Sequence, residues 1–452
     1  MALIEHVAIV GGGFSGTLQA VNLLRHEGPR ATLIERGPQP GEGLAYGAAH
    51  PTHLLNVRAA NMSAFPDDAD HFVRWLKGRG VADPAGIFVP RVTYGAYLRE
   101  LLEAAIRDAG ARLAVVRGEV IDAAAQGEGA RLTLADGRTI DADAAVLAVG
   151  NLPPHDPPGL DPEGFPPDRY KGDPWDPSVS DGLAPSDTVL VIGTGLTMID
   201  IALLLEARGF RGPIVALSRR GLLPRAHAAP VAFEAIAERP REGASALLHR
   251  VRERGEAIGW RNAVDELRPF TQSMWANASA GERGRFLRHL RPWWDVHRHR
   301  LAPPVAERVA AMQARGQLSV VAGKTLAFEP SADGIDMVWR PRGADASRRM
   351  TVQRVINCTG PLGNLQRTAD PLLRALRDRG TIRPDAARLG IDVDAQANTI
   401  AADGAPNPWL YALGPMTRGA FWEIVAVPDI RAQSWTLARR LSNAHWVGGE
   451  GL

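Results

Sequence analysis

Short apolar runs that lead into glycine-rich turns occur twice along the chain, and apolar residues at helical spacing follow each turn. The first copy is HVAIVGGGFSGTLQAVNLLRHEGPRATLIER, residues 6–36, and the second is TVLVIGTGLTMIDIALLLEARGFRGPIVALSRR, residues 188–220. A short apolar run indicates a buried strand, and apolar positions three and four apart indicate a helix. Each copy therefore predicts a strand, a turn, a helix and a second strand, the unit of a parallel sheet.

Each copy is followed downstream by a predicted hairpin and then by an apolar strand that ends in glycine. RLTLADGRTIDADAAVLAVG (131–150) contains the turn signal Asp136-Gly137, and GIDMVWRPRGADASRRMTVQRVINCTG (334–360) is its counterpart. NPWLYALG (407–414) is predicted to be a last parallel strand with a helix behind it. The pattern predicts an α/β fold with two Rossmann-like dinucleotide-binding domains.

A proline-rich connector, residues 150–177, separates the two copies, because so much proline favours neither helix nor central strand. Residues 229–309 are rich in Arg, Trp and His at helical spacing and fit no Rossmann element, which predicts a helical insertion. We therefore expect a first domain built from residues 1–155 and 350–452, a linker over 156–185, and an inserted second domain over 186–349.

The composition narrows the class of protein. The 452 residues are 45% hydrophobic and 23% charged, which is typical of a globular chain of two or three domains. The formal charge of +2 gives no case for nucleic-acid binding. Cys358 is the single cysteine, which excludes disulfides and a redox-active cysteine pair. Because no signal-peptide pattern and no apolar run of ~18 residues is present, we expect a cytoplasmic protein without membrane contact.

The first glycine turn has the spacing of a dinucleotide site. Gly11 permits the tight turn, Gly13 lets the backbone approach a pyrophosphate, and Gly16 allows close packing of the helix on the strand. Free N–H groups at the helix start favour phosphate. Glu35 closes the next strand at the spacing where a carboxylate accepts hydrogen bonds from the adenosine ribose, which predicts FAD rather than FMN. The alternative is a glycine turn with a structural role alone.

The second glycine turn keeps Gly193 and Gly195 but has Met198 in the third position. Since only the packing glycine is lost, the phosphate-facing backbone is spared. The strand that follows ends in SRR, residues 218–220, without an acid. Guanidinium groups pair with a 2′-phosphate that a carboxylate would repel, so this turn predicts NADPH. The alternative is that both arginines are solvated surface charges.

Residues 41–66, GEGLAYGAAHPTHLLNVRAANMSAFP, begin with glycines and continue with many polar and aromatic groups. Long irregular segments in compact domains are usually functional, so we interpret this one as a loop around the ribityl chain and ring of a flavin. The alternative is an ordinary surface loop. The candidate contacts are Tyr46, His53, Asn56, Arg58 and Asn61.

Three histidines, His289, His297 and His299, lie in the segment FLRHLRPWWDVHRHR. Their spacing lacks the HExxH or CxxC order of zinc sites, so we expect no metal and interpret the segment as a cap over a substrate pocket. Cys358, at the end of a predicted strand, is expected to be a small buried hydrophobic residue rather than a nucleophile.

Together, GGGFSG with Glu35, the 41–66 segment, VIGTGLTMID, FLRHLRPWWDVHRHR and LGPMTRGAFWEI resemble bacterial FAD/NAD(P)-binding proteins related to the flavin-dependent urate hydroxylases. More distantly, the plan is similar to the class B flavin monooxygenases and N-hydroxylases. The resemblance spans essentially the whole chain, and the GLAYG…HLLNVRA block is its most specific part. It implies FAD and NADPH as cofactors, and a small-molecule substrate that reacts with molecular oxygen.

The chain departs from the related patterns in two places. YKGDPWD, residues 170–176, lacks the histidine of the Baeyer-Villiger pattern FxGxxxH, which disfavours lactone or ester formation. The last predicted strand ends in Gly414-Pro415 rather than Gly-Asp, so contacts from residues 416–423 must replace those of the missing aspartate on the flavin.

These patterns and the resemblance assign the site residues. The cofactor-binding residues are Gly11, Gly13, Phe14, Ser15, Gly16, Glu35, Arg36, Leu44, Tyr46, Asn56, Val57, Met62, Val120, Gly150, Gly193, Thr194, Gly195, Leu196, Ser218, Arg219, Arg220, Gly360, Gly414 and Glu423. The catalytic candidates are His53, Arg58, Asn61 and Trp422, placed around a water-poor cavity. The alternative is that Trp422 is a core residue and His53 a loop anchor.

The resulting hypothesis is an NADPH-dependent FAD monooxygenase that hydroxylates a small polar or nitrogen-containing molecule. One alternative is an oxidoreductase that passes hydride through flavin to an acceptor other than oxygen. Another is a non-catalytic flavin or nucleotide sensor. The sequence identifies neither the substrate nor the oligomeric state.

Overall fold

The computed structural model describes residues 3–25 and 28–442, and within them the chain forms two α/β units, each built on a mainly parallel sheet. The strands are β1 (His6–Val10), β2 (Arg30–Glu35), β3 (Leu113–Arg117), β4 (Val120–Gln126), β5 (Gly129–Leu134), β6 (Thr139–Ala142), β7 (Ala144–Leu147), β8 (Tyr170–Lys171), β9 (Val189–Ile192), β10 (Ile214–Ser218), β11 (Leu318–Ser331), β12 (Gly334–Pro341), β13 (Arg348–Val352), β14 (Arg354–Asn357), β15 (Asn398–Ile400) and β16 (Pro406–Ala412). The helices are α1 (Phe14–Arg25), α2 (Gly43–Gly47), α3 (His71–Lys77), α4 (Arg91–Ala109), α5 (Leu196–Ala207), α6 (Ala244–Ile258), α7 (Trp260–Asp265), α8 (Thr271–Asn277), α9 (Ala280–Arg285), α10 (Arg291–Arg298), α11 (Pro303–Ala314), α12 (Pro371–Asp378) and α13 (Val427–Leu441).

The first sheet has the strand order β15-β16-β7-β1-β2-β3, and its strands are parallel except for β15 at one edge. Along β1, Val7 and Ile9 pack with α1, α4 and α13. Ala8 and Val10 point the other way and pack with α12 and the small antiparallel sheet β4-β5-β6. Because both faces are covered, every residue of β1 is buried, which explains its uninterrupted apolar run.

Two elements predicted for this unit are present. The hairpin of β5 and β6 turns at Asp136-Gly137, where Gly137 has φ +86. The predicted last strand is β16, which runs parallel to β7 with Leu410 opposite Ala145, and α13 follows it and packs with α1. The α/β fold with parallel sheets is therefore confirmed.

The second sheet has the order β13-β12-β11-β10-β9-β14-β8. Its strands from β11 to β8 are parallel, and β12 and β13 form an antiparallel extension. Met198 of α5 and Val309 of α11 are buried with this sheet.

β8 and β14 lie outside the predicted range 186–349, so the sheet reaches into the proline-rich linker on one side and to Asn357 on the other. The last ten residues of the predicted range 350–452 lie outside the described residues.

The helical insertion lies between β10 and α11. It begins with a mostly irregular segment, residues 222–243, and continues through α6 to α10. α11 packs with α5 as part of the second unit, so the insertion ends before Pro303 rather than at residue 309. No helix of the described residues is long and apolar enough to cross a bilayer.

Candidate functional site

The first glycine turn joins β1 to α1 and is tightly packed. A Cβ on Gly11, whose φ is +102, would overlap the carbonyl oxygen of Ala148, and one on Gly16 would overlap the carbonyl oxygen of Gly11. Both positions therefore require glycine. The first N–H groups of α1 have no partner within the helix, and such a helix start favours an anion.

The carboxylate of Glu35 lies against this turn. The N–H of Gly12 donates to Oε2 at 2.6 Å, and the N–H of Gly37 donates to Oε1 at 2.6 Å. A carboxylate has about four acceptor positions, so these two bonds leave capacity for the hydroxyls of a ribose. The turn and the acid thus meet at the carboxyl ends of two neighbouring parallel strands, where α/β sheets bind ligands.

The beginning of the predicted flavin loop crosses the first turn. The N–H of Gly41 donates to the carbonyl of Gly12 at 2.7 Å. Farther along, the rings of Phe14 and Tyr46 meet edge to face with 6.2 Å between their centroids. The structure therefore brings together the turn and the start of the 41–66 segment, two predicted parts of one cofactor site.

Gly414, at the end of β16, meets the same turn. It has φ +80, a Cβ there would overlap the hydroxyl of Ser15, and its N–H donates to Oε1 of Gln433 at 2.7 Å. The short 3₁₀ helix Pro415–Thr417 follows. The segment that must replace the missing aspartate therefore starts beside the first glycine turn.

The second glycine turn is closed on one side and open on the other. A Cβ on Gly193, whose φ is +115, would overlap the carbonyl oxygen of Cys358, whereas one on Gly195 would meet nothing. Met198 is fully buried and takes the place of the third glycine by packing in the core. Cys358 is buried in the same core. The open backbone at Gly195, at the start of α5, suits the approach of a phosphate.

The residues after β10 have different environments. The hydroxyl of Ser218 lies 2.9 Å from Oγ1 of Thr194 and accepts from the N–H of Gly221, so it holds the turn together. Nη2 of Arg220 donates to the carbonyl of Arg288 at 3.3 Å. Arg219 is exposed and makes no hydrogen bond or ion pair within the described residues. Of the two predicted phosphate ligands, Arg219 is the less constrained.

A cavity of about 1110 Å³ opens between the first unit and the insertion. The flavin loop contributes the side chains of Asn56, Val57, Arg58 and Asn61 to its wall. The segment 421–440 forms a second side, and the insertion supplies the third. Ligand pockets typically have roughly 300–1,000 Å³, so this cavity has room for a flavin ring together with a small substrate.

Glu423 joins the segment after β16 to the insertion. It is 3% exposed and has φ +65, a strained conformation for a residue with a side chain. Its carboxylate accepts from Nε1 of Trp294 at 2.6 Å and from Nε of Arg298 at 3.3 Å, and Nη1 of Arg268 lies 3.4 Å away. Arg268 also pairs with Asp429 in the first turn of α13. The carboxylate predicted to contact the cofactor is thus engaged by the insertion.

Trp422 lies in a buried aromatic cluster behind the cavity. Its ring stacks on Trp275 with 4.6 Å between centroids, and Phe286 meets it edge to face at 5.4 Å. Nε1 of Trp275 donates to the carbonyl of Gly419 at 2.8 Å. The neighbouring Phe421 reaches the cavity wall, whereas Trp422 does not. This packing is what the core alternative for Trp422 predicts.

Both ring nitrogens of His53 are occupied by protein groups. The N–H of His50 donates to Nδ1 at 3.1 Å, and Nε2 donates to the carbonyl of Asp200 at 3.0 Å. Burial, reinforced by the charge of Arg91, lowers the pKa of His53 to about 4, so the ring is neutral. His53 is buried and absent from the cavity wall. The structure therefore places the ring of His53 between the flavin loop and α5, as the loop-anchor alternative predicts.

The remaining predicted cofactor residues are distributed around both turns. Gly150 and Gly360 follow β7 and β14 with φ +68 and +94, and a Cβ on either would meet nothing. Arg36 is 3.5 Å from both Glu119 and Asp370, and Leu44 is exposed. Met62 and Val120 are buried in hydrophobic clusters, and Leu196 begins α5.

Sequence reasoning missed the part of the site that comes from the insertion. The cavity wall includes His227, Arg261, Arg268 and Arg300 of the insertion, and Asp429, which pairs with Arg268. These residues are far apart in sequence and follow no motif. Their signal was the density of arginine and histidine in the insertion, which indicated a cap but not its contacts.

Comparison with known proteins supports the dinucleotide interpretation. Residues 8–152 match the family model described as FAD-NAD(P)-binding. This range of the chain contains the first turn, Glu35 and the flavin loop. No curated protein sequence matches the chain significantly. The match confirms that the first unit is an FAD/NAD(P)-binding domain.

Solved structures of similar fold cover nearly the whole chain. The ornithine N-hydroxylase of Kutzneria sp. 744, with reduced FAD, NADP⁺ and L-ornithine, has a TM-score of 0.66 at 16% identity and covers 97% of this chain and 99% of its own. The L-lysine 6-monooxygenase of Pseudomonas syringae gives 0.66 at 15%, with coverage of 97% and 99%. The FAD-bound cadaverine monooxygenase of Erwinia amylovora gives 0.68 at 12%, with coverage of 98% and 95%. At these identities the similarity shows a shared fold.

The residues present fit both dinucleotides. The first turn offers helix N–H groups, a strand-end carboxylate and the nearby Phe14, and the second offers the open backbone at Gly195 with Arg219 beyond β10. No group of three or more His, Cys, Asp or Glu side chains in the described residues is arranged to hold a metal.

Proposed function

We propose that this protein is an NADPH-dependent FAD monooxygenase that hydroxylates a small nitrogen-containing substrate with molecular oxygen. The observation that carries the proposal is the cavity of about 1110 Å³, which is lined jointly by the flavin loop, the segment after β16 and the helical insertion. The similar enzymes are named for ornithine, lysine and cadaverine, which all carry amino groups. The GLAYG…HLLNVRA block supports a relation to flavin-dependent urate hydroxylases as a further part of the proposal.

FAD, when bound, supplies hydride acceptance from NADPH and the activation of oxygen. The chain's own residues bind and position the two dinucleotides: the first turn with Glu35 for FAD, and the second turn with Arg219 for NADPH. The 2′-phosphate is a strong ligand for a guanidinium group, which favours NADPH over NADH. Because Ser218 and Arg220 are bound within the protein, Arg219 carries most of this preference.

Arg58 and Asn61 face the cavity and orient the substrate there. The stack of Trp422 on Trp275 and the contacts of Glu423 keep the insertion closed over the segment after β16. A closed cavity excludes water from the reacting atoms, as oxygen transfer requires. His53 is left out of the catalytic set, since its ring nitrogens are occupied.

The test combines cofactor and product analysis of the purified protein. We expect denaturation to release FAD and not FMN, and NADPH oxidation to consume oxygen in the presence of a substrate. With labelled dioxygen and a panel of amines, purines and phenols, the label is expected in one hydroxylated product. The same reactions with NADH and without substrate are the controls.

Two results would contradict the proposal. If reduced flavin survives for many minutes in air and no label enters any product, the oxidoreductase with another acceptor is the better explanation. If neither nucleotide is turned over although FAD is bound, the sensor alternative is favoured.

A further inference from the structure

The cavity carries an excess of positive charge. Seven arginines line it among the described residues, but only two carboxylates do, Asp265 and Asp429. Asp265 is bound by Arg300 through both oxygens at 2.9 Å, and Asp429 pairs with Arg268. The two lining carboxylates are therefore already neutralised, while some arginines of the wall make no ion pair within the described residues.

Arg58 and Arg261 are two such arginines, and they converge on one stretch of chain. Nη2 of Arg58 donates to the carbonyl of Ala228 at 2.9 Å, and Nε and Nη2 of Arg261 donate to the carbonyl of Ala226 at 3.0 and 2.9 Å. The two accepting carbonyls thus belong to the residues on either side of His227, and two residues of extended chain span about 7 Å. Neither arginine makes an ion pair within the described residues.

Both guanidinium groups are held in place by aromatic rings. The Cζ atom of Arg58 lies 5.1 Å from the ring centre of Phe88, and that of Arg261 lies 4.3 Å from the ring of Trp260. A carbonyl satisfies one or two hydrogen bonds of a guanidinium group but does not neutralise its charge. Each guanidinium has five N–H donors, so both arginines keep donors for a ligand.

His227 lies between the two accepting residues in the chain. Its Nε2 donates to the carbonyl of Asn56 at 2.9 Å, and its ring packs at 5.1 Å from Phe88. Burial and the positive charges of Arg300 and Arg58 lower the pKa of His227. They outweigh the hydrogen bond to the carbonyl of Asn56, which raises it. Burial and the charges of Arg300 and Arg225 likewise lower the pKa of Arg261. Like charges are thus gathered where an anion would relieve their repulsion.

We infer that the Arg58–Arg261 pair binds an acidic oxygen group of the substrate, so that the preferred substrate is a nitrogen compound with a carboxylate or similar anion rather than a simple amine or diamine. The inference rests on the proposed function, because it assigns a substrate class to the same cavity. Paired N–H donors of arginine match the two oxygens of a carboxylate. One wall is supplied by the flavin loop and the other by the insertion, so an anion between them would also hold the two parts together.

A phosphate of NADPH is the other anion that could reach this wall. The second glycine turn and Arg219 already provide a phosphate site, and Arg58 belongs to the flavin loop rather than to the second unit. These positions favour the substrate as the source of the anion, and the nucleotide is an outcome of the test.

The test compares matched ligands by calorimetry on the FAD-containing protein, so it requires no turnover. The pairs are 6-aminohexanoate with hexylamine and 4-aminobenzoate with aniline, in which one partner lacks the carboxylate. We expect at least one acid to bind about tenfold or more tightly than its partner. Equal binding within both pairs, or tighter binding of the amines, would overturn the inference without any variant.

Arg58→Gln and Arg261→Gln remove one charge each while keeping a donor for the backbone carbonyl. Each variant is expected to weaken the binding of the acid about tenfold and to leave the affinity for the matched amine unchanged. Arg440→Gln is the matched control, because Arg440 lines the same cavity, donates to the carbonyl of Gln396 and packs on Tyr411. Arg58→Lys keeps the charge and is expected to retain part of the preference for the acid.

Titration with NADP⁺ separates the two sources of the anion. If Arg58→Gln and Arg261→Gln weaken NADP⁺ binding and leave the acids unaffected, the pair serves the nucleotide and the inference fails. Product analysis with labelled oxygen is a separate measurement. A protein that prefers the acids but forms no oxygenated product would disprove the proposed function and keep the anion site.

Discussion

Nη2 of Arg91 lies 2.8 Å from Oδ2 of Asp200, and this buried ion pair connects the start of α4 in the first unit with α5 in the second. His53 adds a hydrogen bond from its ring to the carbonyl of Asp200. α5 begins at the second glycine turn, so the contact links the position of that turn to the flavin loop. The relative placement of the two predicted dinucleotide sites depends in part on these three residues.

The burial of Asp200, which outweighs the opposing charge of Arg91, predicts a pH dependence of stability. Burial raises the pKa of Asp200 from 3.8 to about 6, so the folded protein holds this proton more tightly than the unfolded chain. The resulting stabilisation is complete below about pH 4 and is lost as the pH rises to about 6. Relative to Asp200→Asn, the free energy of unfolding of the wild type is expected to fall by on the order of 2–3 kcal/mol across this window.

Urea unfolding of both proteins at several pH values measures the difference. Taking the difference is necessary because His53, whose pKa is lowered, titrates with the opposite sign. Asp108→Asn, at an exposed position of α4, is the control for the loss of a carboxylate. A difference that is constant or rises with pH would contradict the prediction.

The two glycine turns respond differently to alanine. Gly16→Ala places a methyl group on the carbonyl oxygen of Gly11, so we expect loss of bound FAD and destabilisation by about 2 kcal/mol or more. Gly195→Ala meets open space and is expected to keep the fold and FAD while it raises the KM for NADPH. Flavin content, thermal unfolding and NADPH kinetics of the two variants check this contrast. Normal FAD binding by Gly16→Ala would show that the first turn is more adaptable than its packing indicates.

Arg219 is predicted to determine the nucleotide preference. Arg219→Ala should raise the KM for NADPH roughly ten- to a hundredfold, the value of a hydrogen bond to a charged group, and leave the KM for NADH nearly unchanged. Arg220→Ala is the internal comparison and should have the smaller effect on NADPH, because Arg220 is bound to the carbonyl of Arg288. Steady-state kinetics with both nucleotides measure the effects. Equal efficiency of the wild type with NADPH and NADH would refute the assignment.

Loss of the Glu423 carboxylate is predicted to loosen the closed cavity. Glu423→Gln leaves Arg298 and Arg268 without their shared charge partner, and breaking a buried pair typically costs about 3–5 kcal/mol. If the proposed monooxygenase is correct, water then enters the cavity and a larger share of the consumed NADPH appears as hydrogen peroxide. The ratio of peroxide to NADPH consumed measures this effect.

Glu253→Gln is the control for that experiment, because Glu253 is exposed on α6 and pairs with His249 at the surface. Its peroxide yield and stability should match those of the wild type. If Glu423→Gln behaves like Glu253→Gln in both measurements, the contact of Glu423 with the insertion does not keep the cavity closed.

The amino-acid sequence by itself determined the parts of this protein that depend on neighbouring residues. Local structure was predicted from the glycine spacing at Gly11 and Gly193, the apolar runs of β1 and β9, and the turn at Gly137. This was possible because the pattern of neighbouring residues indicates their backbone conformation and burial. The same reasoning predicted Glu35, since its distance from the turn is fixed by one helix and one strand.

Only the tertiary structure decided which residues share the cavity and which are occupied elsewhere. His53 and Glu423 carry groups suited to catalysis or binding, but one is held by the carbonyl of Asp200 and the other by Trp294, at separations of more than a hundred residues. The convergence of Arg58 and Arg261 on the stretch around His227 likewise follows from the packing of the insertion on the flavin loop. Such contacts depend on how separate elements pack in space, and no periodicity or motif within one segment records that arrangement.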